Sequence, residues 1–241
     1  MPEPTPTPQH EEQKDARALV LLSGGLDSST ALYWTHKNIT ENIIAISFSY
    51  GQRHLKEVHH AAAIAIELDV QHRILTGLEF PKSMLTDESA QVPDISYGEI
   101  EGISPTYVPF RNGSMLARAA AEAQAHDLDF IVWSPHAEDA MGWAYPDCTP
   151  EFAGSMANAI FIGTYMKVRL LTPFIHMMKH EIVKLGKTMD VPFERTWSCY
   201  KGERLHCGTC PTCRSRRDSF ELARVTDHTL YKEDVYGTSK V

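Results

Sequence analysis

The residues with the most evident chemistry form a short run near the start of the chain, between an apolar stretch and a helical pattern. Residues 22–30 read LSGGLDSST. The paired glycines permit a tight turn, and serine hydroxyls with N–H groups at a helix start suit a bound anion such as phosphate. The Asp27 carboxylate would lie beside that phosphate, where carboxylates hold Mg²⁺. The run matches neither Gly-Lys-Ser/Thr nor Gly-x-Gly-x-x-Gly motifs, so it predicts another type of phosphate loop, with a plain helix-capping turn as the structural alternative.

Four of the five cysteines lie within fifteen residues near the C-terminus and form the second pattern with chemical meaning. Cys199, Cys207, Cys210 and Cys213 have the spacing C-x7-C-x2-C-x2-C. Thiolates favour tetrahedral Zn²⁺, and four of them leave no coordination position open, so the pattern indicates a structural zinc ion. A [4Fe–4S] cluster also takes four cysteines and stays an alternative. A disulfide pair is disfavoured because no secretion signal is visible.

Polar loops after the predicted strands contain the remaining candidates. Arg111 opens a helical pattern and could bind phosphate or carboxylate through two parallel hydrogen bonds. Lys179 opens another helical pattern and could reach ATP phosphates. For both residues, an ordinary exposed side chain is an equally good interpretation. Cys148, which stands apart from the other cysteines, is more often a small buried apolar residue than a nucleophile.

These candidates need a scaffold, and apolar runs alternate with helical patterns along the chain. The predicted strands are residues 18–22, 43–49, 73–75, 130–134 and 168–174. The predicted helices are residues 27–37, 54–68, 113–126, 151–165, 179–189 and 212–225. Such alternation predicts a parallel sheet with helices on both faces, and ligands bind at the carboxyl ends of its strands. Residues 77–110 and 135–150 are predicted as loops.

Composition narrows the class of protein and its compartment. The chain has 241 residues and a net charge of −8, which argues against a broad surface for nucleic acid or anionic membrane. No apolar run could span a bilayer, and the start lacks the apolar core of a signal peptide, so a cytoplasmic protein is expected. We divide the chain into a disordered tail (1–15), an ATP-binding α/β domain (16–195) and a zinc-binding hook with a C-terminal helix (196–241).

The run at residues 22–30 resembles the pyrophosphate loop of the ATP pyrophosphatase superfamily, S-G-G-x-D-S. Further segments make the resemblance specific: SYGQRH (49–54), YVPFRN (107–112), YPDCTPEF (145–152) and TWSCY…HCGTCPTC (196–213). Together they resemble the 7-cyano-7-deazaguanine synthase family of queuosine precursor biosynthesis over nearly the whole chain, residues 18–231. Two segments depart from the family pattern: Phe110 stands where glycine is expected, and SPHAEDAMGWA (134–144) replaces a shorter loop.

The resemblance implies a fold, a reaction and cofactors. The fold would be of the adenine nucleotide alpha hydrolase-like (PP-loop) type, a five-stranded parallel doubly wound α/β sheet with a small C-terminal zinc-binding element. The enzyme would be a ligase forming carbon–nitrogen bonds that converts 7-carboxy-7-deazaguanine and ammonia into 7-cyano-7-deazaguanine through an adenylated acid and an amide. Mg²⁺ with ATP, one structural Zn²⁺ per chain and a homodimer are implied, with no nucleic-acid or membrane partner.

The resemblance also assigns residues to roles. The catalytic residues would be Asp27, Ser28, Arg111 and Lys179. ATP would bind Leu22, Ser23, Gly24, Gly25, Leu26, Asp27, Ser28 and Ser29. The substrate would bind Tyr50, Gln52, Arg53, Asn112, Asp139, Tyr145, Asp147 and Cys148.

Two other functions compete with this interpretation. A tRNA-modifying thiolase or ligase of the same superfamily would need a basic RNA-binding surface, which the net charge of −8 disfavours. A zinc-dependent interaction module without catalysis would not need the intact Ser-Gly-Gly-x-Asp-Ser run.

Overall fold

The computed structural model describes residues 16–51, 56–81, 83–87, 92, 94, 102–202 and 204–236. The tail predicted at residues 1–15 lies outside the described residues, as do the predicted substrate residues Gln52 and Arg53 and part of the loop predicted at residues 77–110.

A five-stranded parallel sheet forms the centre of the molecule, as predicted. Its strands are β1 (Ala18–Leu21), β2 (Ile43–Phe48), β3 (Gln71–Leu75), β4 (Phe130–Val132) and β5 (Arg169–Leu171). Their order across the sheet is β3-β2-β1-β4-β5, and every pair is parallel. Chain connections leave β1 in one direction towards β2 and β3, and the chain then returns to β4 on the other side. The carboxyl ends of β1 and β4 therefore border the crevice where such sheets bind ligands.

Helices cover both faces of the sheet. They are α1 (Leu26–Asn38), α2 (Lys56–Glu67), α3 (Arg111–Ala125), α4 (Ala137–Ala140), α5 (Pro150–Gly163), α6 (Lys179–Thr188), α7 (Pro211–Ala223) and α8 (Lys232–Tyr236). Alternate residues of β1 enter different cores: Ala18 and Val20 pack with α1, α2, α6 and α7, whereas Leu19 packs with α3 and α5. The doubly wound α/β class is thus confirmed. No helix in the described ranges is both long and apolar enough to cross a membrane.

The segment predicted as a loop at residues 135–150 has more local structure than its sequence indicates. It contains α4 and two single-turn 3-10 helices, Met141–Trp143 and Pro146–Cys148, before α5 begins. Side chains rather than apolar periodicity set this structure: the Asp139 carboxylate accepts a hydrogen bond from the His136 N–H at 3.2 Å. The segment is therefore a folded wall of the crevice.

Phe110, the departure from the family pattern, has a left-handed backbone at the start of α3, with φ 53°. Glycine is the residue that takes this conformation most easily. The Phe110 ring packs edge-on against Phe152, with centroids 5.7 Å apart. It also lies over Gly113, where a Cβ atom would come within 2.3 Å of the ring. The chain therefore keeps a glycine-like turn, and the absence of a side chain at Gly113 makes room for the phenylalanine.

Candidate active site and metal site

Hydrogen bonds of its own serine residues hold the loop between β1 and α1 in a tight turn. The Ser23 N–H donates to Ser28 Oγ at 3.1 Å, and the two hydroxyl oxygens are 2.9 Å apart. The Gly25 N–H donates to Ser23 Oγ at 3.3 Å, and Gly25 takes the N-cap position of α1 with an extended backbone. The first N–H groups of α1 thus follow a preorganised turn, which is the geometry that binds a phosphate at a helix start.

Gly24 allows this loop to lie directly on α2. Its φ is 83°, and a Cβ atom there would lie 2.2 Å from the Glu57 carbonyl oxygen and 2.6 Å from the Ala61 nitrogen. We expect Gly24→Ala to lower the free energy of unfolding by about 2 kcal/mol or more, because the new methyl group meets backbone and the left-handed residue is strained. We also expect it to prevent stabilisation by Mg-ATP, as measured by thermal melting with and without the nucleotide.

Gly154→Ala is the matched control, since Gly154 lies in α5 and no atom approaches its added Cβ within 4 Å. That substitution should leave stability unchanged or raise it by up to about 1 kcal/mol, as alanine is the better helix former. Equal melting temperatures and equal ATP responses for both variants would contradict the proposed close packing at Gly24.

The side chains of Asp27, His136 and Lys179 lie together beside the loop. Lys179 Nζ lies 2.9 Å from Asp27 Oδ2 and 3.3 Å from His136 Nε2. Burial by itself raises the pKa of Asp27, but Lys179 and His136 outweigh it and hold that pKa below its usual range. For Lys179, burial by itself lowers the pKa, but the nearby carboxylates of Asp27 and Asp139 outweigh burial, so its pKa is raised. Both groups are therefore charged at neutral pH.

Asp27 Oδ1 is buried and has no hydrogen-bond partner among the described residues. A buried carboxylate oxygen without a partner costs free energy unless a ligand satisfies it. Hard oxygen donors are the ligands that Mg²⁺ takes in nucleotide sites. The donor chemistry of Asp27 therefore fits a magnesium ion bound with ATP.

Arg111 is the first residue of α3 and faces the same crevice. Its Nη1 donates to the Tyr50 hydroxyl at 3.1 Å, and its guanidinium lies 5.9 Å from the centre of the Tyr50 ring. Burial lowers the pKa of Arg111, but Tyr50 and Tyr200 outweigh it and raise the pKa above its ordinary value. A fixed guanidinium in this position can bind a phosphate or carboxylate group with two parallel hydrogen bonds.

These elements surround one cavity of about 290 Å³ at the carboxyl ends of the strands. The predicted site residues that line it are Leu22, Ser23, Gly25, Leu26, Asp27, Ser28, Tyr50, Arg111, Asn112, Asp139 and Lys179. Gly24 and Ser29 belong to the loop but do not line the cavity, and Ser29 is fully buried.

Tyr145, Asp147 and Cys148 lie behind the cavity wall instead of lining it. Asp147 Oδ2 accepts the Asn112 N–H at 3.0 Å, and Cys148 Sγ accepts a hydrogen bond from Asn112 Nδ2 at 3.2 Å. The Tyr145 hydroxyl is 2.6 Å from Thr106 Oγ1. Burial, reinforced by Asp139 and Asp147, raises the pKa of Cys148 well above its ordinary value. The raised pKa favours the neutral thiol at neutral pH, in which form Cys148 accepts the Asn112 hydrogen bond and lacks the thiolate that a nucleophile needs.

Several polar and aromatic lining residues were not among the predicted site residues. They include Glu57 in the first turn of α2, His136 after β4, and Trp197, Ser198, Tyr200 and Thr212 near the cysteines. The position of His136 just beyond a predicted strand was a usable signal. No local pattern marks the others, because only the folded chain brings them to the crevice.

The four clustered cysteines converge on one point. Their sulfur atoms all lie within 4.8 Å of one another, and all four side chains are buried. The N–H groups of Thr209 and Cys210 donate to Cys207 Sγ at 3.4 and 3.3 Å, an arrangement that stabilises a thiolate. The cluster can therefore hold a metal ion, as the spacing predicts.

The cysteine hook (residues 196–213) is hydrogen-bonded to the phosphate loop (residues 22–30). The Trp197 N–H donates to the Gly24 carbonyl oxygen at 2.8 Å. The neighbouring Ser198 N–H donates to His206 Nε2 at 3.0 Å. Arg216 is fully buried and donates to Thr196 Oγ1 at 2.7 Å. The segment that contains the cysteines is therefore hydrogen-bonded directly to the backbone that would hold the nucleotide.

A family model for queuosine biosynthesis protein QueC matches residues 17–224. The chain belongs to the QueC family. Two similar proteins have the name 7-cyano-7-deazaguanine synthase. The protein from Chelativorans sp. (strain BNC1) is 42% identical to this chain over 233 residues. The matched region covers 93% of this chain and 97% of that relative. The protein from Mesorhizobium japonicum is 43% identical to this chain over 225 residues. The matched region covers 90% of this chain and 94% of that relative.

Among solved structures, the chain is similar to the U34-tRNA thiolase NcsA from Methanococcus maripaludis with its [4Fe-4S] cluster. The two are 14% identical, with a TM-score of 0.49 and coverage of 93% of this chain and 77% of the thiolase. The family resemblance stated from the motifs is confirmed by the QueC match rather than by this more distant similarity.

Proposed function

We propose that this QueC-family chain is an ATP-dependent carbon–nitrogen ligase that converts 7-carboxy-7-deazaguanine and ammonia into 7-cyano-7-deazaguanine for queuosine biosynthesis. The observation that carries the proposal is the convergence of the Ser23–Ser28 loop, Asp27, Lys179 and Arg111 on one cavity. Relatives of this chain that share about two-fifths of its residues are named for this activity.

The chemistry explains why such a set of groups is needed. A carboxylate oxygen is a poor leaving group, so the acid is first joined to AMP with release of pyrophosphate. Ammonia then displaces AMP to give the amide. A second adenylation, on the amide oxygen, allows loss of AMP and leaves the nitrile. Each adenylation develops negative charge on the departing pyrophosphate, and preorganised positive groups lower that barrier.

The cavity residues divide these tasks. The loop N–H groups and the Ser28 hydroxyl would bind the departing pyrophosphate, and Lys179 and Arg111 would supply its compensating charge. A magnesium ion, when bound with ATP, supplies further neutralisation of the phosphates, and Asp27 would hold it through Oδ1. Tyr50 fixes Arg111 by the 3.1 Å hydrogen bond, and Asn112 and Asp139 would contact the deazaguanine. Gln52 and Arg53 would also contact the substrate, while Tyr145, Asp147 and Cys148 would support the substrate pocket from behind.

The metal of the cysteine hook is proposed to be a structural zinc ion, one per chain. Four buried sulfurs within 4.8 Å of one another leave no ligand position for substrate, which favours a structural role. A [4Fe–4S] cluster is the alternative that metal analysis distinguishes. Free, buried thiols also suit a reducing compartment such as the cytoplasm.

We further propose a homodimer, with small molecules and no nucleic acid or membrane as partners. The end of α5 and the turn after it expose large apolar side chains: Ile162 is 73% exposed, Tyr165 80% and Met166 67%. Large exposed apolar side chains that are grouped in this way are typical of subunit interfaces. Sedimentation analysis should give a dimer for the natural chain and a monomer for Ile162→Asp; a monomeric natural chain would contradict the proposal.

Pyrophosphate exchange tests the first half-reaction. Labelled pyrophosphate should enter ATP when 7-carboxy-7-deazaguanine and Mg²⁺ are present, and the exchange should not require RNA. Exchange that appears only on addition of tRNA would favour the tRNA-modifying alternative. Absence of any exchange, with no stabilisation by Mg-ATP, would favour a module without catalysis.

A further inference from the structure

Glu57 has a carboxylate that lines the cavity, and the adenylation steps proposed above assign it no role. Three carboxylates line the cavity, and two of them, Asp27 and Asp139, belong to the Lys179–His136 cluster. The Glu57 side chain has no hydrogen-bond or salt-bridge partner within the described part of the chain, and the charge that acts on it most is that of Arg111. Its backbone is nonetheless fixed, because its carbonyl oxygen packs against Gly24 of the phosphate loop. A well-placed carboxylate with unused acceptor capacity thus faces the reaction space.

We propose that Glu57 is the general base of the amination step, accepting the proton that ammonium must lose before its nitrogen attacks the adenylated carboxylate. This inference rests on the proposed function. Ammonia in neutral water is almost entirely ammonium, which has no lone pair, so a ligase using free ammonia needs a proton acceptor beside the acyl carbon. Glu57 lines the cavity that would hold that carbon.

The electrostatics around Glu57 suit this task. Burial raises the pKa of Glu57 to about 7, an effect that Arg111 partly offsets. A carboxyl group with that pKa can accept a proton at neutral pH and release it again, which is optimal for a base. The other ionisable groups lining the cavity are Asp27, Tyr50, His136, Asp139, Lys179 and Tyr200.

The step balances as follows. One proton passes from ammonium to the Glu57 carboxylate. The released lone pair forms a C–N bond to the acyl carbon, and the C–O bond to AMP breaks with its electron pair leaving on AMP. The second nitrogen proton passes to water, and Glu57 returns its own proton to solvent. The products are the amide, AMP and two protons, and no oxidant or reductant is needed.

Glu57→Gln separates this role from nucleotide binding. We expect the variant to retain pyrophosphate exchange within about threefold while its single-turnover rate of amide formation with ammonia at pH 7 falls by about 10²-fold or more. Hydroxylamine is largely unprotonated at neutral pH and needs no base to expose its lone pair. With hydroxylamine as the nucleophile, the variant should therefore form the hydroxamate at nearly the natural rate. Glu67→Gln, at the far end of the same helix and paired with Arg195, should behave as the natural chain in all three assays.

Three outcomes would overturn the inference: an undiminished amination rate, an equal loss in exchange and amination, or an equal loss with both nucleophiles. A natural chain that shows no carboxylate-dependent exchange would instead contradict the proposed function itself.

Thermal melting gives a readout of the Glu57 charge that is independent of activity. A folded-state pKa raised from 4.5 to about 7 means that the natural chain loses stability as pH rises through this window. The melting temperature of Glu57→Gln should therefore equal that of the natural chain below pH 4.5 and exceed it at pH 8. A difference that does not change with pH would contradict an ionised, partly buried carboxylate at this position.

Discussion

Asp27→Asn should abolish turnover, with kcat reduced on the order of 10³-fold and the fold retained. Asparagine keeps the shape of the side chain but removes the negative charge that Lys179 Nζ meets at 2.9 Å. The substitution also replaces one of the two carboxylate oxygens with an amide nitrogen. The carboxylate oxygen Oδ1, which has no hydrogen-bond partner among the described residues, is the proposed magnesium ligand. Both the magnesium site and the placement of Lys179 would be lost. Product formation, pyrophosphate exchange and circular dichroism together measure the effect.

Asp190→Asn is the matched control for that experiment. Asp190 is exposed after α6 and has a left-handed backbone, φ 57°, which asparagine adopts as readily as aspartate. This variant should keep full activity. Near-natural turnover in Asp27→Asn would remove Asp27 from the proposed reaction, whereas equal losses in both variants would indicate a general effect of lowered charge.

Cys210→Ser should release the bound metal and destabilise the chain by about 4–5 kcal/mol, because the buried thiol cluster then lacks a ligand. For a chain of this size, that corresponds to a melting temperature lowered by roughly 10–20 °C. Elemental analysis of the natural chain should give one zinc ion per chain and no iron. Since the Trp197 N–H of the hook donates to the Gly24 carbonyl, the variant should also need more ATP for half-maximal exchange.

Cys148→Ser provides the comparison, since Cys148 lies against Asn112 and is not part of the metal cluster. Its metal content should equal that of the natural chain. A Cys210→Ser protein that is metal-free yet equally stable would contradict a structural metal. If the natural chain contains iron and acid-labile sulfide, the metal site is a [4Fe–4S] cluster and the zinc assignment is wrong.

The parts of the fold that sequence predicts well are those in which local pattern and tertiary role agree. Residues 18–30 combine a buried apolar run, a glycine turn and a helix start, and β1, the loop and α1 follow in that order. The cysteines are equally local, because all four lie within fifteen residues of the chain. Arg111 and Lys179 each open a helix after a strand or loop, and the parallel topology then directs both to one crevice.

The positions of the other site residues depend on contacts between segments that are distant in the sequence, so no short segment predicts them. Glu57 resembles any acidic residue in the first turn of a helix, and only the packing of α2 on Gly24 brings it to the cavity. Cys148 and Asp147 are predicted to bind the substrate. The turn at Pro146–Cys148 buries both, and each accepts a hydrogen bond from Asn112, a contact that the local sequence does not show. Trp197 reaches the cavity through a hook whose path is determined by the cysteine cluster and by Arg216.

Mass spectrometry of the products formed from ATP, ammonia and 7-carboxy-7-deazaguanine tests the central claim most directly. The account predicts 7-cyano-7-deazaguanine, with AMP and pyrophosphate each formed twice per nitrile and the amide as an intermediate. Formation of ADP and phosphate, or an unchanged carboxylate in the presence of hydrolysed ATP, would contradict it.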